Sequence, residues 1–231
     1  MNRAIFLTLV SIAFAVPAAA QHHGTSYISV TNGRGPIQQG SGHFVRQSRA
    51  TGAFSAIETN GAADVEVVAG GAPMIEVETD DNLLDNIETR IEGDRLIVTN
   101  RGSFRTSRAP VVRVSLERLR SAETSGSGKV TIRGLRDGDL TLSGRGSGDF
   151  RAEGTVARLQ LYLHGSGNAD LTRLNASDVV ARVNGSGNAR IRAEHSLDAT
   201  ANGSGSLVYE GPASLVRAEA HGTGTVRRGA M

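Results

Sequence analysis

The chain has 231 residues, with 29 glycines, only 4% aromatic residues, no tryptophan and no cysteine. The missing cysteines exclude disulfides, thiolate metal sites, a cysteine nucleophile and a lipid-carrying cysteine, and the scarcity of rings excludes a core built around large aromatics. Basic and acidic residues number 25 and 23, all but one of the basic ones being arginine; the near-balance lacks the clustered positive footprint of a nucleic-acid binder, and no nucleic-acid partner is expected.

The first twenty residues carry an address. Met1-Asn2-Arg3 gives a positive start, Ala4 to Val16 is mainly apolar, and Ala18-Ala19-Ala20 supplies the small-residue pattern that signal peptidase cuts after. Residues 1–20 therefore read as a signal peptide. The mature chain would begin at Gln21 and be exported through the inner membrane, to remain periplasmic, outer-membrane-associated or extracellular. The apolar run is shorter than the roughly 20 residues that span a bilayer core. No later segment is long enough, so no integral membrane segment is expected after signal removal. Gln21-His22-His23 would place a histidine third in the mature chain. At that spacing the terminal amine, two amides and an imidazole can wrap copper or nickel, although cyclisation of Gln21 would block the amine and an incidental polar leader is the plainer reading.

Residues 21–50 read as a flexible leader, marked by Asn32-Gly33-Arg34-Gly35-Pro36 and Gln38-Gln39-Gly40-Ser41-Gly42, with one short strand around Ile28 and Val30. Residues 51–231 read as one β-helix domain. Its first part, 51–120, has less regular rungs: Ala62 to Val68, Met74 to Thr79, Asn86 to Ile91 and Arg95 to Val98 alternate, with turns at Gly70-Gly71, Asp80-Asp81-Asn82 and Gly93-Asp94. Val112, Val114 and Leu116 form a further strand.

Residues 121–228 are a repeat. Gly-Ser-Gly occurs at 126–128, 146–148, 165–167, 185–187 and 203–205, and Gly222-Thr223-Gly224 is a sixth copy. The first glycines are 20, 19, 20, 18 and 19 residues apart, a period that composition alone would not hold. Before the corners, alternate positions are Leu140, Leu142 and Gly144, then Leu159, Leu161 and Leu163, with Val179, Ala181 and Val183 next. Leu197, Ala199, Ala201 and Val216, Ala218, Ala220 continue the series, and polar residues lie between. After the corners come Val130 and Ile132, Phe150 and Ala152, Ala169 and Leu171, Ala189 and Ile191, and Leu207 and Tyr209. Period two with one apolar face is a half-buried strand. A unit of about 19 residues with two such strands cannot bury its own apolar face, but stacked units can. A propeller blade needs about twice this period, and an antiparallel sandwich would not repeat one corner at fixed spacing. The fold class read from this is all-β: a right-handed parallel β-helix solenoid with Gly-Ser-Gly corners. With layers about 4.8 Å apart, the glycines would admit positive φ and close backbone approach, and the middle hydroxyls Ser127 through Ser204 and Thr223 would form a ladder.

Phe54-x-x-Ile57, Asp64-Val65-x-Val67, Ile75-x-Val77, Leu96-Ile97-Val98 and Val112-x-Val114-x-Leu116 form a further pattern. With the serial corners and the closing Leu207-Val208-Tyr209-Glu210-Gly211-Pro212, it resembles the putative auto-transporter adhesin, head GIN domain family, over residues 50 to 228. The resemblance implies a secreted right-handed parallel β-helix and brings no catalytic motif.

The candidate chemistry is sparse. Ser125-Gly126-Ser127-Gly128-Lys129-Val130-Thr131 has Glu123 and Val130 where a phosphate-binding loop needs glycine and a hydroxyl. Asp149 and Asp170 would lie on adjacent rungs with Cα atoms about 8 Å apart, within the window of an inverting glycosidase pair. The Asp170 column, however, reads Thr131, Arg151, Asp170, Arg190, Val208, and the next reads Arg133, Glu153, Thr172, Arg192, Glu210. Both fit structural charge ladders. His164 and His221 share a column three rungs apart, about 14 Å, too far to ligate one metal, and Asn168 and Asn188 read as an asparagine ladder. No catalytic, cofactor-binding or metal residue is assigned, and no cofactor is expected. Two function classes follow: a non-enzymatic envelope or cell-surface module binding a protein or glycan partner, and, as the alternative, a polysaccharide lyase or glycosidase on the same scaffold. End-to-end self-association through open strand edges is a further expectation, with Arg227-Arg228 as a charged guard.

Overall fold

The structure, a computed structural model, describes residues 27–31 and 36–229; the signal-peptide segment 1–20 and Gln21-His22-His23 lie outside the described residues. The described residues form a β-solenoid, 67% strand and 3% helix. From residue 121 it climbs in parallel layers through Ser121–Thr124, Val130–Leu135, Asp139–Gly146, Phe150–Gly165, Ala169–Gly185, Ala189–Gly203, Ser206–Glu210, Leu215–Gly222 and Thr225–Arg228. The longest strands run through a bend, so Phe150–Gly165 closes one layer and opens the next. The period-two pattern does the sorting. Leu140, Leu159, Val179 and Leu197 stack in register, as do Leu142, Leu161, Ala181 and Ala199, and all eight are at most 2% exposed.

The two glycines of each corner serve different needs. The first, at Gly146, Gly165, Gly185, Gly203 and Gly222, has φ between 95° and 129°, a backbone state costly for any residue with a Cβ. Its carbonyl accepts two N–H donors from the next corner: Ser166 and Gly167 donate to Gly146 at 2.9 and 3.1 Å, and Ser186 and Gly187 donate to Gly165 at 2.9 and 3.1 Å. The last glycine lacks positive φ but lies directly over its neighbour, so a Cβ on Gly167 or Gly187 would come within 3.0 Å of the carbonyl oxygen below. The expected hydroxyl ladder is reduced to one rung, Thr223 Oγ1 donating to Ser204 Oγ at 3.2 Å; the backbone N–H groups join the other corners.

The layers do not stack in chain order at the N-terminal end. Ala56–Asn60 and Asp64–Ala69 form a layer that Ser121–Thr124 and Val130–Leu135 cover on one side. Arg95–Asn100 and Val111–Leu116, later in the chain, cover its other side, also in parallel. The chain then caps this end with antiparallel strands. Met74–Asp80 pairs Val111–Leu116, Ile87–Glu92 pairs Arg95–Asn100, and Phe44–Ser48 pairs Met74–Asp80. Within the segment read as a leader, Ile28–Val30 and Ile37–Gln39 also pair with Ser103–Thr106. Asp80 ties this segment down. Its buried carboxylate accepts the Thr106 hydroxyl at 2.6 Å and the Gly42 N–H at 2.7 Å.

One column departs from the reading of the sequence. Register shifts between Ile132 and Leu135 and between Arg151 and Glu153, so Glu153 faces Arg173 and not Thr172. The cause is a bulge, an extra residue that bends the strand and interrupts the ladder. Gly134 and Gly154, at φ 77° and 131°, stand at this bend.

Candidate binding groove

The bend leaves a groove of about 420 Å³ over the second strand of successive layers, lined by Asp64, Glu66, Lys129, Arg133, Arg151, Glu153, Asp170 and Arg173 among others. Its spine is one register column. Glu76, Arg113, Glu66, Thr131, Arg151, Asp170, Arg190 and Val208 follow one another across the sheet. The alternation of strand side chains points all of them outward.

The two ends of this column differ. Toward the cap the charges are matched. Arg113 meets Glu66 at 3.2 Å and Glu78 at 2.6 Å, and Arg46 meets Glu78 at 2.8 Å. The hydrogen bond from Arg113 holds the Glu78 carboxyl below the usual carboxylate range. Further along, Asp170 lies in register between Arg151 and Arg190, yet its carboxylate takes the Thr172 hydroxyl at 2.9 Å. Among the described residues no ion pair within 4.0 Å engages Arg151, Arg173 or Arg190. The charge ladder expected around Asp170 is thus not closed by ion pairs; matched charges lie at the cap end instead, and the groove presents Arg151 and Arg173, with no ion pair among the described residues. Arg133 meets Glu153 at 3.6 Å, which leaves Glu153 associated with the groove wall.

The corner columns beside the groove are structural. Asp149 Oδ1 accepts the Asn168 N–H at 2.9 Å and its side-chain amide at 3.1 Å. Asn168 Oδ1 receives Asn188 N–H and Nδ2 at 3.1 Å each, and Asn188 Oδ1 receives Ser206 N–H at 3.2 Å. Asp64 Oδ1 accepts Lys129 N–H at 2.8 Å in the same column, so this end of the segment compared with a phosphate loop is a strand opening. The asparagine ladder read from the sequence is present and begins on an aspartate. It also engages Asp149, one half of the glycosidase-like pair. Glu58, Glu78, Asp81 and Asp198 are held below the usual carboxylate range, chiefly by hydrogen bonds from Asn60, Arg113, Ser41 and Arg182 respectively. A general acid working near neutral pH needs a shift in the opposite direction.

His164, Asn184, Asn202 and His221 occupy successive layers of one column, three layers separating the histidines as expected. Asn202 Nδ2 donates to Asn184 Oδ1 at 2.7 Å. Among the described residues no group of three His, Asp or Glu side chains is placed to hold a metal ion, and no helix is long and apolar enough to cross a membrane. The signal of the groove in the sequence is a break in alternation, since the buried positions step by three from Ile132 to Leu135 and from Leu171 to Leu174, with the isolated glycines Gly134 and Gly154 beside it.

A family model described as putative auto-transporter adhesin, head GIN domain, matches residues 53–213. The chain is similar to a crystal structure of a putative adhesin from Bacteroides fragilis, with a TM-score of 0.68 and 21% identity, covering 82% of this chain and 99% of that one. A putative adhesin from Parabacteroides distasonis gives a TM-score of 0.55 at 18% identity, covering 84% of this chain and 100% of that one. A putative lipid binding protein from the same species gives 0.50 at 21% identity, with coverage of 84% and 100%. At these identities the likeness is one of fold. No curated protein matches the chain in sequence.

Proposed function

Because the chain belongs to the putative auto-transporter adhesin, head GIN domain family, we propose that it is a non-enzymatic binding module of the cell envelope or surface, engaging a glycan or protein partner through the groove. The observation that carries this reading is the change across the groove, from matched charges at Arg113 to Arg151 in the same column and Arg173 beside it, neither with an ion pair among the described residues. Planar guanidinium groups on neighbouring layers suit carboxylate, sulfate or phosphate groups, which they can bind in bidentate fashion. The partner is therefore one that presents anionic groups along an extended line, such as an acidic polysaccharide or an acidic protein segment. A solenoid supplies the long, ribbed surface this requires.

Binding of the purified chain to arrayed acidic and neutral glycans, with and without Arg151→Ser and Arg173→Ser, tests the groove. Salt-sensitive binding lost in the double variant supports the proposal, whereas equal binding by the variant removes the groove from it. The address is tested by protease treatment of intact and lysed cells beside a periplasmic control protein. Digestion in intact cells, with the control protected, supports exposure on the surface. Digestion only after lysis supports a periplasmic module.

A further inference from the structure

The two ends of the solenoid are finished differently. At the N-terminal end the antiparallel strands Met74–Asp80 and Phe44–Ser48 lie over the parallel layers. At the other end Leu215–Gly222 pairs only with Ala189–Gly203, and among the described residues nothing lies over its second edge. The core columns run out into solvent there. Leu197 is 2% exposed, and Val216, next in its column, is 41% exposed. Ala218 and Ala220 are exposed as well, while Ala199 and Ala201 beneath them are buried.

The backbone of this edge is aimed outward at the same positions. In the layer at Asp139–Gly146, the N–H of outward-facing Thr141 donates to Arg120 of the layer below. Arg217 continues the Thr141 column, so the N–H and C=O groups of Arg217 and Glu219 turn back into the solenoid. Those of Val216, Ala218 and Ala220 then face the open side, since successive residues of a strand alternate in this respect. Such a row is a template for another strand.

We propose that this edge binds a second copy of the chain, two Leu215–Gly222 strands pairing antiparallel about a twofold axis at Ala218. An isologous contact requires a surface that is complementary to itself, and this strand is. With Ala218 opposite Ala218, Val216 falls opposite Ala220, and the exposed ends of both cores face each other. On the outer face each Arg217 falls opposite the second copy's Glu219. Within one copy these two side chains already meet at 3.0 Å, so the dimer would assemble them into a four-charge cluster. The register centred at Ala218 also makes Ala218 and the Val216–Ala220 pairs the hydrogen-bonded pairs of the ladder. The neighbouring edge, Thr225–Arg228, carries two adjacent arginines and no acidic residue to pair with them. Arg228 donates to the Gly211 carbonyl at 2.7 Å.

Sedimentation of the full chain over a wide concentration range, with two single charge reversals, tests the proposal. The unaltered chain is expected to sediment as monomer and dimer in concentration-dependent proportion. Arg217→Glu and Glu219→Arg each place like charges across the twofold and should weaken the dimer at least tenfold. An equimolar mixture of the two variants should restore it. The first variant carries two acids at these positions and the second two arginines, so every pair across the axis of the mixed dimer again unites opposite charges. That recovery also shows that neither variant has merely failed to fold. A chain that stays monomeric throughout, a dimer indifferent to the single reversals, or a mixture that remains monomeric would each overturn the proposal.

Discussion

Gly167 sits so close over Gly148 that a Cβ on Gly167 would come within 3.0 Å of the Gly148 carbonyl oxygen. Neither atom can yield easily, since the carbonyl belongs to a corner fixed by the layers on both sides. Gly167→Val is therefore expected to destabilise the solenoid by at least about 2 kcal/mol, at the upper end of overpacking costs. Gly42→Ala is the comparison. Its φ of 86° is unfavourable for alanine, but no atom lies within 4 Å of the added carbon, so a loss of about 1 kcal/mol is expected from the backbone alone. Chemical denaturation of the two variants checks the order; a Gly167→Val protein as stable as the parent would refute the close-contact account.

The Glu78 carboxyl gives the solenoid a dependence on acid. Hydrogen bonding from Arg113 lowers its pKa in the folded chain, whereas in the unfolded chain it titrates near the ordinary value of about 4.3. A depressed carboxylate contributes stability that is complete above the unfolded pKa and is lost as pH falls through the folded one. Melting temperature should fall more steeply on acidification below about pH 4.3 in the parent than in Glu78→Gln. At neutral pH the variant should be less stable by about 1 kcal/mol or less, as befits a partly exposed pair. Parallel melting curves at both pH values would show that the pair contributes nothing.

Asn168 is the middle rung of its ladder, donating to Asp149 and accepting from Asn188. Asn168→Ala should cost about 1 kcal/mol. Asn168→Asp keeps the acceptor but sets a second carboxylate beside Asp149, so its deficit relative to the alanine variant should be larger at neutral pH than in acid, where both carboxyls are neutral. Melting curves at the two pH values measure this; a deficit independent of pH would mean the two side chains do not approach in solution.

The buried Asp80 carboxylate relies on the Thr106 hydroxyl and the Gly42 N–H. Thr106→Val removes one donor without changing shape, at an expected cost of about 1–3 kcal/mol. Hydrogen exchange should then accelerate first in Ile37–Gln39 and Phe44–Ser48, which lie on the outer side of the cap. Uniform acceleration along the whole chain would show that Asp80 does not act as a local latch.

The regular layers are legible because Leu140, Leu159, Val179 and Leu197 recur at the repeat spacing and must all face one core. The columns follow from the same count, and His164, Asn184, Asn202 and His221 fall in the register it implies. Alternation has no sign for direction, however. Met74–Asp80 and Ile87–Glu92 show the same period whether they run parallel or antiparallel, so from sequence the cap reads as further rungs. Nor does alternation record which neighbour a strand chooses, and the stacking of Arg95–Asn100 against Ala56–Asn60 stays hidden. Phe44–Ser48 is short and largely exposed, and a strand held mainly by its backbone leaves little trace in composition. The groove depends on a bulge, where one inserted residue moves Glu153 from Thr172 to Arg173.

The reversed stacking at the N-terminal end gives the chain a growth centre. The layer of Ala56–Asn60 and Asp64–Ala69 is the earliest of the parallel layers in the chain, yet it receives later segments on both faces. One face is sealed once, by Arg95–Asn100 and Val111–Leu116; the other is a front that every following turn extends in the order it leaves the ribosome. Nearest-neighbour coupling makes each addition nearly independent of those to come. Trimming layers from the C-terminal side should leave shorter bodies still able to form, whereas deleting residues 95–116 should unseal the centre's other face and so weaken the layer from which the rest propagates.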